Sequence, residues 1–200
     1  MIGGRAFGRS KSESTLVLMH FDGNLVEEYG NYVSGTPAFD TGKFGQALNL
    51  NGNVIRFNID REPMDMALSG SSFTFEFFFK CTYSVPGIIN FGNLRFDFYL
   101  AQTAINVIFG PGSSVVLVYD YCNWSAFRHF AVVRSGAEFK LFYEGQLVHT
   151  IYSNWVYAGS SLNGGSGITG RDNFIDELRI SNFARYNTNF PVPTAPFVVD

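Results

Sequence analysis

Cleaving a glycosidic bond takes two carboxylates at one cleft, roughly 5–9.5 Å apart, one acting as acid and the other as nucleophile or base. A β-strand presents two acids to one face only when they occupy alternate positions. This sequence offers Asp176-Glu177, which are adjacent and so expected on opposite faces, Glu76 alone among aromatic residues, and Arg95-Phe96-Asp97, one carboxylate beside a cation. His20, His129 and His149 lie in separate segments, and no Gly-x-Ser-x-Gly nucleophile turn accompanies them. Each reads as a structural histidine. The residues therefore predict a protein that is not an enzyme.

Two other chemistries are open to these side chains. Asp176 alternates with Phe174, Leu178 and Ile180, so its charge needs a cation or several N–H donors. Asp22 ends a segment expected beside it. With turn oxygens from Gly23 and Asn51, the two carboxylates would suit a structural calcium, which takes roughly 6–8 oxygen ligands. The alternative is that both simply accept backbone and arginine hydrogen bonds. No other cofactor is called for. Glycan binding without catalysis would use exposed rings that stack on sugar C–H faces, and Tyr99, Tyr119, Tyr121 and Trp124 are candidates, with Asn93 and Asn123 close by. The competing role for such rings is to plug the ends of a sandwich or to form subunit contacts. Cys81 and Cys122 have no metal-site spacing and are expected to be free thiols.

The elements that must position these residues are strands. Hydrophobic residues make up 46% of the 200-residue chain, enough for a sizeable core, and 22 of the residues are Phe, which favours a thick inter-sheet layer. Short alternating runs recur between Gly, Asn, Ser and Pro: 15–21, 47–50, 54–59, 73–80, 94–100, 105–109, 115–119, 127–134, 139–143, 146–152 and 174–180. In 73–80, Phe73, Phe75, Phe77 and Phe79 share one face, the mark of a half-buried strand. In 94–100, Leu94, Phe96 and Phe98 are expected inward and Arg95, Asp97 and Tyr99 outward. Asn163–Gly167 reads as a glycine loop, and only short helical turns are expected, around 60–68 and 181–186. The first run is apolar at nearly every position, and pairing it with the last would close the domain and hide an edge. The expectation is an all-β, two-sheet antiparallel sandwich of jelly-roll type with first and last strands adjacent.

The flanks differ from this body. Residues 1–14 read as a flexible arm, loosened by glycines and carrying Arg5, Arg9 and Lys11, suited to ordering on a larger assembly. Residues 15–190 form the sandwich, and 191–200 a Pro-rich tail. A net charge of −3 provides no basic field for nucleic acid or an anionic membrane. No secretory signal or membrane-spanning run is apparent, so synthesis in a host cytoplasm is expected.

Several segments resemble the laminin-G-like, concanavalin A-like jelly rolls. Leu18-Met19-His20-Phe21-Asp22-Gly23 resembles their opening strand, and Phe44–Gly52 the stretch that follows. Phe73–Phe78 resembles a strand that usually carries Trp where Phe78 stands. Arg128–Gly136 with Phe139–Gly145 resembles the central hairpin, and Ile175–Ile180 the closing strand. The continuation Ser181–Tyr186, Asn189-Phe190 and Pro191–Phe197 is similar to the version found in bacteriophage structural proteins. The resemblance implies a non-enzymatic accessory module on a virion surface, as a capsid decoration or a tail- or fibre-associated part. Its implied partners are other virion proteins, reached through the arm, and cell-surface polysaccharide, with many copies or a homo-oligomer presented. A structural calcium near Asp22 and Asp176 is also implied. The alternatives are a host-glycan-recognising adhesin and, behind it, a glycan hydrolase. The hydrolases that resemble this fold alternate their acids on one strand, a pattern missing here.

Overall fold

A computed structural model describes residues 14–26, 32–50, 54–58, 72–81, 87–91, 94–99, 104–109, 113–118, 125–154, 166–169 and 173–200. The strands of the first sheet are β1 (Thr15–Met19), β3 (Ala38–Thr41), β4 (Gln46–Asn49), β6 (Ser72–Cys81), β11 (Arg128–Ser135), β12 (Glu138–Tyr143), β13 (Gln146–Tyr152) and β15 (Asn173–Ser181). Those of the second are β2 (Tyr32–Ser34), β5 (Val54–Asn58), β7 (Gly87–Phe91), β8 (Leu94–Tyr99), β9 (Ala104–Phe109), β10 (Ser113–Val118) and β14 (Ser166–Thr169). The first sheet runs β13-β12-β11-β6-β15-β4-β3, and the second β10-β9-β8-β7-β14-β5-β2. Described pairings within each sheet are antiparallel, and the two sheets form a β-sandwich. No helix among the described residues is long and apolar enough to cross a membrane.

The expected closure is present. β1 pairs with β15, with Met19 opposite Leu178 and Thr15 opposite Ser181. β4 takes the other half of the same β15 edge, with Ile175 opposite Leu48. β1 and β4 thus flank β15 on either side of Asp176-Glu177, and every one of its residues is buried. The hairpin from β12 to β13 turns at Glu144 (φ 49) and Gly145 (φ 70), the doubly positive geometry of a tight two-residue turn. Glycine is required at the second position because a Cβ there would also collide with the carbonyl oxygen of Phe190.

Some elements escaped the sequence. β2 and β3 are short strands on either side of Gly35-Thr36-Pro37, and β7 follows Pro86. β14 begins inside the stretch read as a glycine loop, and it holds a central place in the second sheet. Its single large apolar residue, Ile168, leaves no alternation to detect. The helical turn expected at 181–186 is absent: Ser181 ends β15 and the chain then runs on without regular structure. Residues 60–68 lie outside the described residues.

β6 also differs from expectation. Residues 73–79 are buried at every position, not at alternate ones. Phe73, Phe75, Phe77 and Phe79 occupy one face, where Phe77 stacks on Phe130 at 5.8 Å and meets Phe75 edge-on at 5.7 Å. Thr74, Glu76 and Phe78 occupy the other, beneath the C-terminal segment. Residues 183–200 run as a strap over that outer face. Thr74 Oγ1 donates to the Phe183 carbonyl at 2.7 Å, and Phe190 N donates to Gly145 O at 2.9 Å. Phe197 packs on Leu18 and Phe78, while Tyr186 and Phe190 pack on Ala131, Val133 and Phe142. At the end, Arg185 binds the Asp200 carboxylate at 2.7 Å, and Thr15 Oγ1 donates to the same group at 2.6 Å.

Candidate functional site

Three groups of side chains or positions could do chemistry, and each is set by a different element. The first is at the rim where β1, the β3–β4 turn and β15 meet. Asp176 Oδ2 accepts from the amides of Lys43 (2.7 Å) and Phe44 (2.9 Å), and Asp22 Oδ1 accepts from Gln46 N at 2.7 Å. The turn admits both carboxylates because Gly42 and Gly45 carry no Cβ: one on Gly45 would collide with Asp22, and one on Gly42 with Asp176. Gly23 sits in the adjoining turn at φ 74. Asn51 lies outside the described residues. The premise that Asp176 and Glu177 face apart does not hold, because β15 bulges between Asp176 and Arg179, with Glu177 at φ 53. Two residues there oppose one on β6, and alternation is lost. Glu177, expected to face away from Asp176, accepts from Phe197 N at 2.7 Å and lies 2.8 Å from His20 Nδ1.

Three carboxylates, Asp22, Asp176 and Glu177, lie near enough at the rim to act on one another. Burial pushes the Asp176 carboxyl up to about 7; the Phe44 and Lys43 amides pull the other way, and the neighbouring Glu177 and Asp22 carboxylates push it further up. Burial likewise raises Glu177, against the pull of His20 and the Phe197 amide. Asp176 Oδ1 is buried with no hydrogen-bond partner. That oxygen is the feature that suits a cation. Among the described residues, no group of three or more His, Cys, Asp or Glu side chains is gathered to hold a metal.

The second group lies under the strap. Glu76 Oε1 accepts from Arg179 Nε at 2.8 Å, and Oε2 accepts from Tyr186 Oη at 2.9 Å and faces His129 Nε2 at 3.2 Å. Burial alone would raise the Glu76 carboxyl, but His129, Arg179 and Tyr186 outweigh it and hold it below its ordinary value. Glu76 and His129 are fully buried. An ion cluster so enclosed has no route to substrate and works as a rivet between sheet and strap.

The third is a set of positions that strand register places on one face of the second sheet. Register places Ile55, Ile168, Ile89, Phe96, Val107 and Val115 in a single cross-strand row on one face of that sheet. The opposite face carries the row Ser34, Arg56, Gly167, Asn90, Arg95, Ile108. The next row on that face is Val54, Thr169, Ile88, Asp97, Asn106, Val116. Tyr99, opposite Ala104, follows on the same face. Tyr99 thus joins Arg95, Asp97, Asn90 and Asn106, whereas Tyr119, Tyr121 and Trp124 lie outside the described residues, as do Arg5, Arg9, Lys11 and Cys122. Asn90, Asn106 and Arg56 gave no signal in sequence, since only register brings their strands together.

No family model matches the chain, and no curated protein matches it in sequence. Solved structures do share its fold. Domain 4 of AbnA, a GH43 extracellular arabinanase from Geobacillus stearothermophilus solved in complex with arabinotriose, is 19% identical at a TM-score of 0.61, over 86% of this chain and 95% of that one. The binding domain of botulinum neurotoxin DC, solved with rat synaptotagmin II, is 14% identical at a TM-score of 0.64, over 86% of this chain and 49% of that one. A Trypanosoma rangeli sialidase mutant displaying trans-sialidase activity is 12% identical at 0.55, over 86% of this chain and 31% of that one. The chain therefore spans about half of the toxin domain and about a third of the sialidase. At these identities the likeness shows the β-sandwich fold.

Proposed function

We propose that this chain is a non-catalytic glycan-binding module whose ligand surface is the outer face of the second sheet. The observation that carries the reading is the asymmetry of the two sheets. The outer face of the first sheet is covered by the strap, while strand register in the second places positions 56, 90, 95, 97, 99 and 106 on one face, opposite the row through Ile168. A sugar presents hydroxyls at its edge and C–H groups on its faces, and such a mixed surface suits both. A domain of the same fold solved with arabinotriose supports the class of ligand. Absence of catalysis is supported by Glu76, which is consumed by its ion cluster, and by Asp176 and Glu177, which accept from main-chain amides. The test is a panel of polysaccharides scored in parallel for retardation of the protein in affinity gels and for release of reducing ends. Retardation without release is expected; release of reducing ends by the pure protein would overturn the non-catalytic part.

The reading extends to two finer points. The rim would hold a structural calcium through Asp22 and Asp176, supported by the unpartnered Asp176 Oδ1. Thermal melts with calcium and with chelator test this: a rise in Tm that Asp176→Asn abolishes is expected, and identical melts would remove the ion. The setting would be a bacteriophage particle, as a decoration or a tail-associated module, supported by the resemblance of Ser181–Phe197. Many copies would then convert a weak glycan affinity into firm adsorption. Deleting residues 1–14 should abolish incorporation into particles; unchanged incorporation would remove Arg5, Arg9 and Lys11 from any docking role.

A further inference from the structure

Resting on the calcium reading of the rim, we infer that rim and strap form one coupled device: a cation held by Asp22 and Asp176 tightens the docking of residues 183–200, through Glu177 and Phe44. The first link is the β15 bulge, which sets Asp176 beside Glu177 and holds Glu177 at φ 53. A residue with a side chain keeps that sparsely populated conformation only where its surroundings hold it. Asp176 Oδ1 is buried without a partner, whereas both Glu177 oxygens are engaged: Oε1 faces His20 Nδ1 at 2.8 Å and Oε2 accepts from Phe197 N at 2.7 Å. A cation therefore takes the free Asp176 oxygen and leaves the Glu177 bonds in place. Without it, the carboxylates of Asp22, Asp176 and Glu177 repel one another, and the bulge that aims Glu177 at the strap is what yields. The second link is Phe44, whose amide donates to Asp176 Oδ2 at 2.9 Å and whose ring meets Phe78 edge-on at 5.5 Å. Phe78 in turn packs on the buried Phe197 ring at 5.8 Å. Chains of packed side chains and hydrogen bonds of this kind carry coupling between sites. Linkage makes it reciprocal: the docked strap raises cation affinity by the factor with which the cation raises docking.

Amide hydrogen exchange of the full chain, in chelator and in excess calcium chloride, tests the coupling beside calorimetric calcium titration. In chelator the Phe197 amide should exchange faster than a sheet amide such as that of Val132, the mark of a strap that opens short of unfolding. Calcium should slow exchange at Phe197 about fivefold or more, the lower end for coupled sites. Phe197→Ala should bind calcium severalfold more weakly than the parent, and Phe197→Leu should restore most of the affinity. Neither variant alters a rim carboxylate, and melting curves establish that each is folded; the exchange measurement needs no variant and decides alone where one does not fold. A parent chain that binds no calcium would bring down the rim site and the coupling together. Calcium binding that leaves exchange at Phe197 unchanged, or that folded Phe197→Ala leaves unaltered, would overturn the coupling and leave the rim site standing. Faster exchange at Phe197 in calcium would overturn it as well, since the ion would then have drawn Glu177 from the strap. Exchange at Phe197 no faster than at Val132 would deny the strap an opening of its own and overturn the device.

Discussion

At the scale of residues, burial of charge decides most of what these side chains can do. Glu76 sits fully buried and is bonded by Arg179 and Tyr186, with His129 facing it, partners 103, 110 and 53 positions away in sequence. Read as a sequence it stood alone among phenylalanines, because partners that distant leave no local pattern. Removing one side of such a cluster leaves the other buried and uncompensated, typically at about 3–5 kcal/mol. Glu76→Gln should lower unfolding free energy by that order in urea titrations. His129 and His20 both face glutamates, pairings between distant segments that no local run of residues announces. The bulge at Glu177 was not legible either, since one extra residue in a strand changes no residue type. Its consequence is large: it draws Glu177 to His20 and Phe197 and gathers a third carboxyl at the rim with Asp176 and Asp22.

At the scale of elements, the strap is what separates this sandwich from a pair of bare sheets. The sequence marked 191–200 as a Pro-rich tail, yet Phe197 within it is buried against Leu18 and Phe78, and Arg179 lies over its ring at 4.1 Å. Polar and proline residues hid one decisive aromatic. Phe197→Ala should cost about 3 kcal/mol, the order for a buried Phe truncation, read as a shift in the urea midpoint. The strap's end has its own pH signature. Hydrogen bonding from Arg185 holds the Asp200 carboxyl well below its ordinary value. A depressed folded pKa gives stability that is full above the unfolded value of 3.8 and drains away as pH falls through the folded one. Asp200→Asn should therefore destabilise at pH 7 and lose less than the parent between pH 4 and pH 2, by denaturation at each pH. Asp200 is 45% exposed in its side chain, so the effect will be modest.

At the scale of the whole molecule, the fold was largely legible and the surface was not. Period-two runs rich in Phe marked β6 and β8, and the doubly apolar β1 marked a strand covered on both faces, as its burial bears out; its expected pairing with β15 is also present. Strand order is a long-range property, and no local run announces that β14 lies between β5 and β7. The polar row from Arg56 to Arg95 exists only because of that order, which is why Tyr99 was visible as a candidate and Asn90 and Asn106 were not. One sheet anchors the strap; the proposed function gives the other the ligand face. An amide-resolved NMR titration with arabinotriose and with trigalacturonate tests that division most directly. The account predicts that at least one of them shifts resonances of residues 56, 90, 95, 97 and 106 while those of 183–197 stay in place. Perturbations confined to the strap, or none with either sugar, would contradict it.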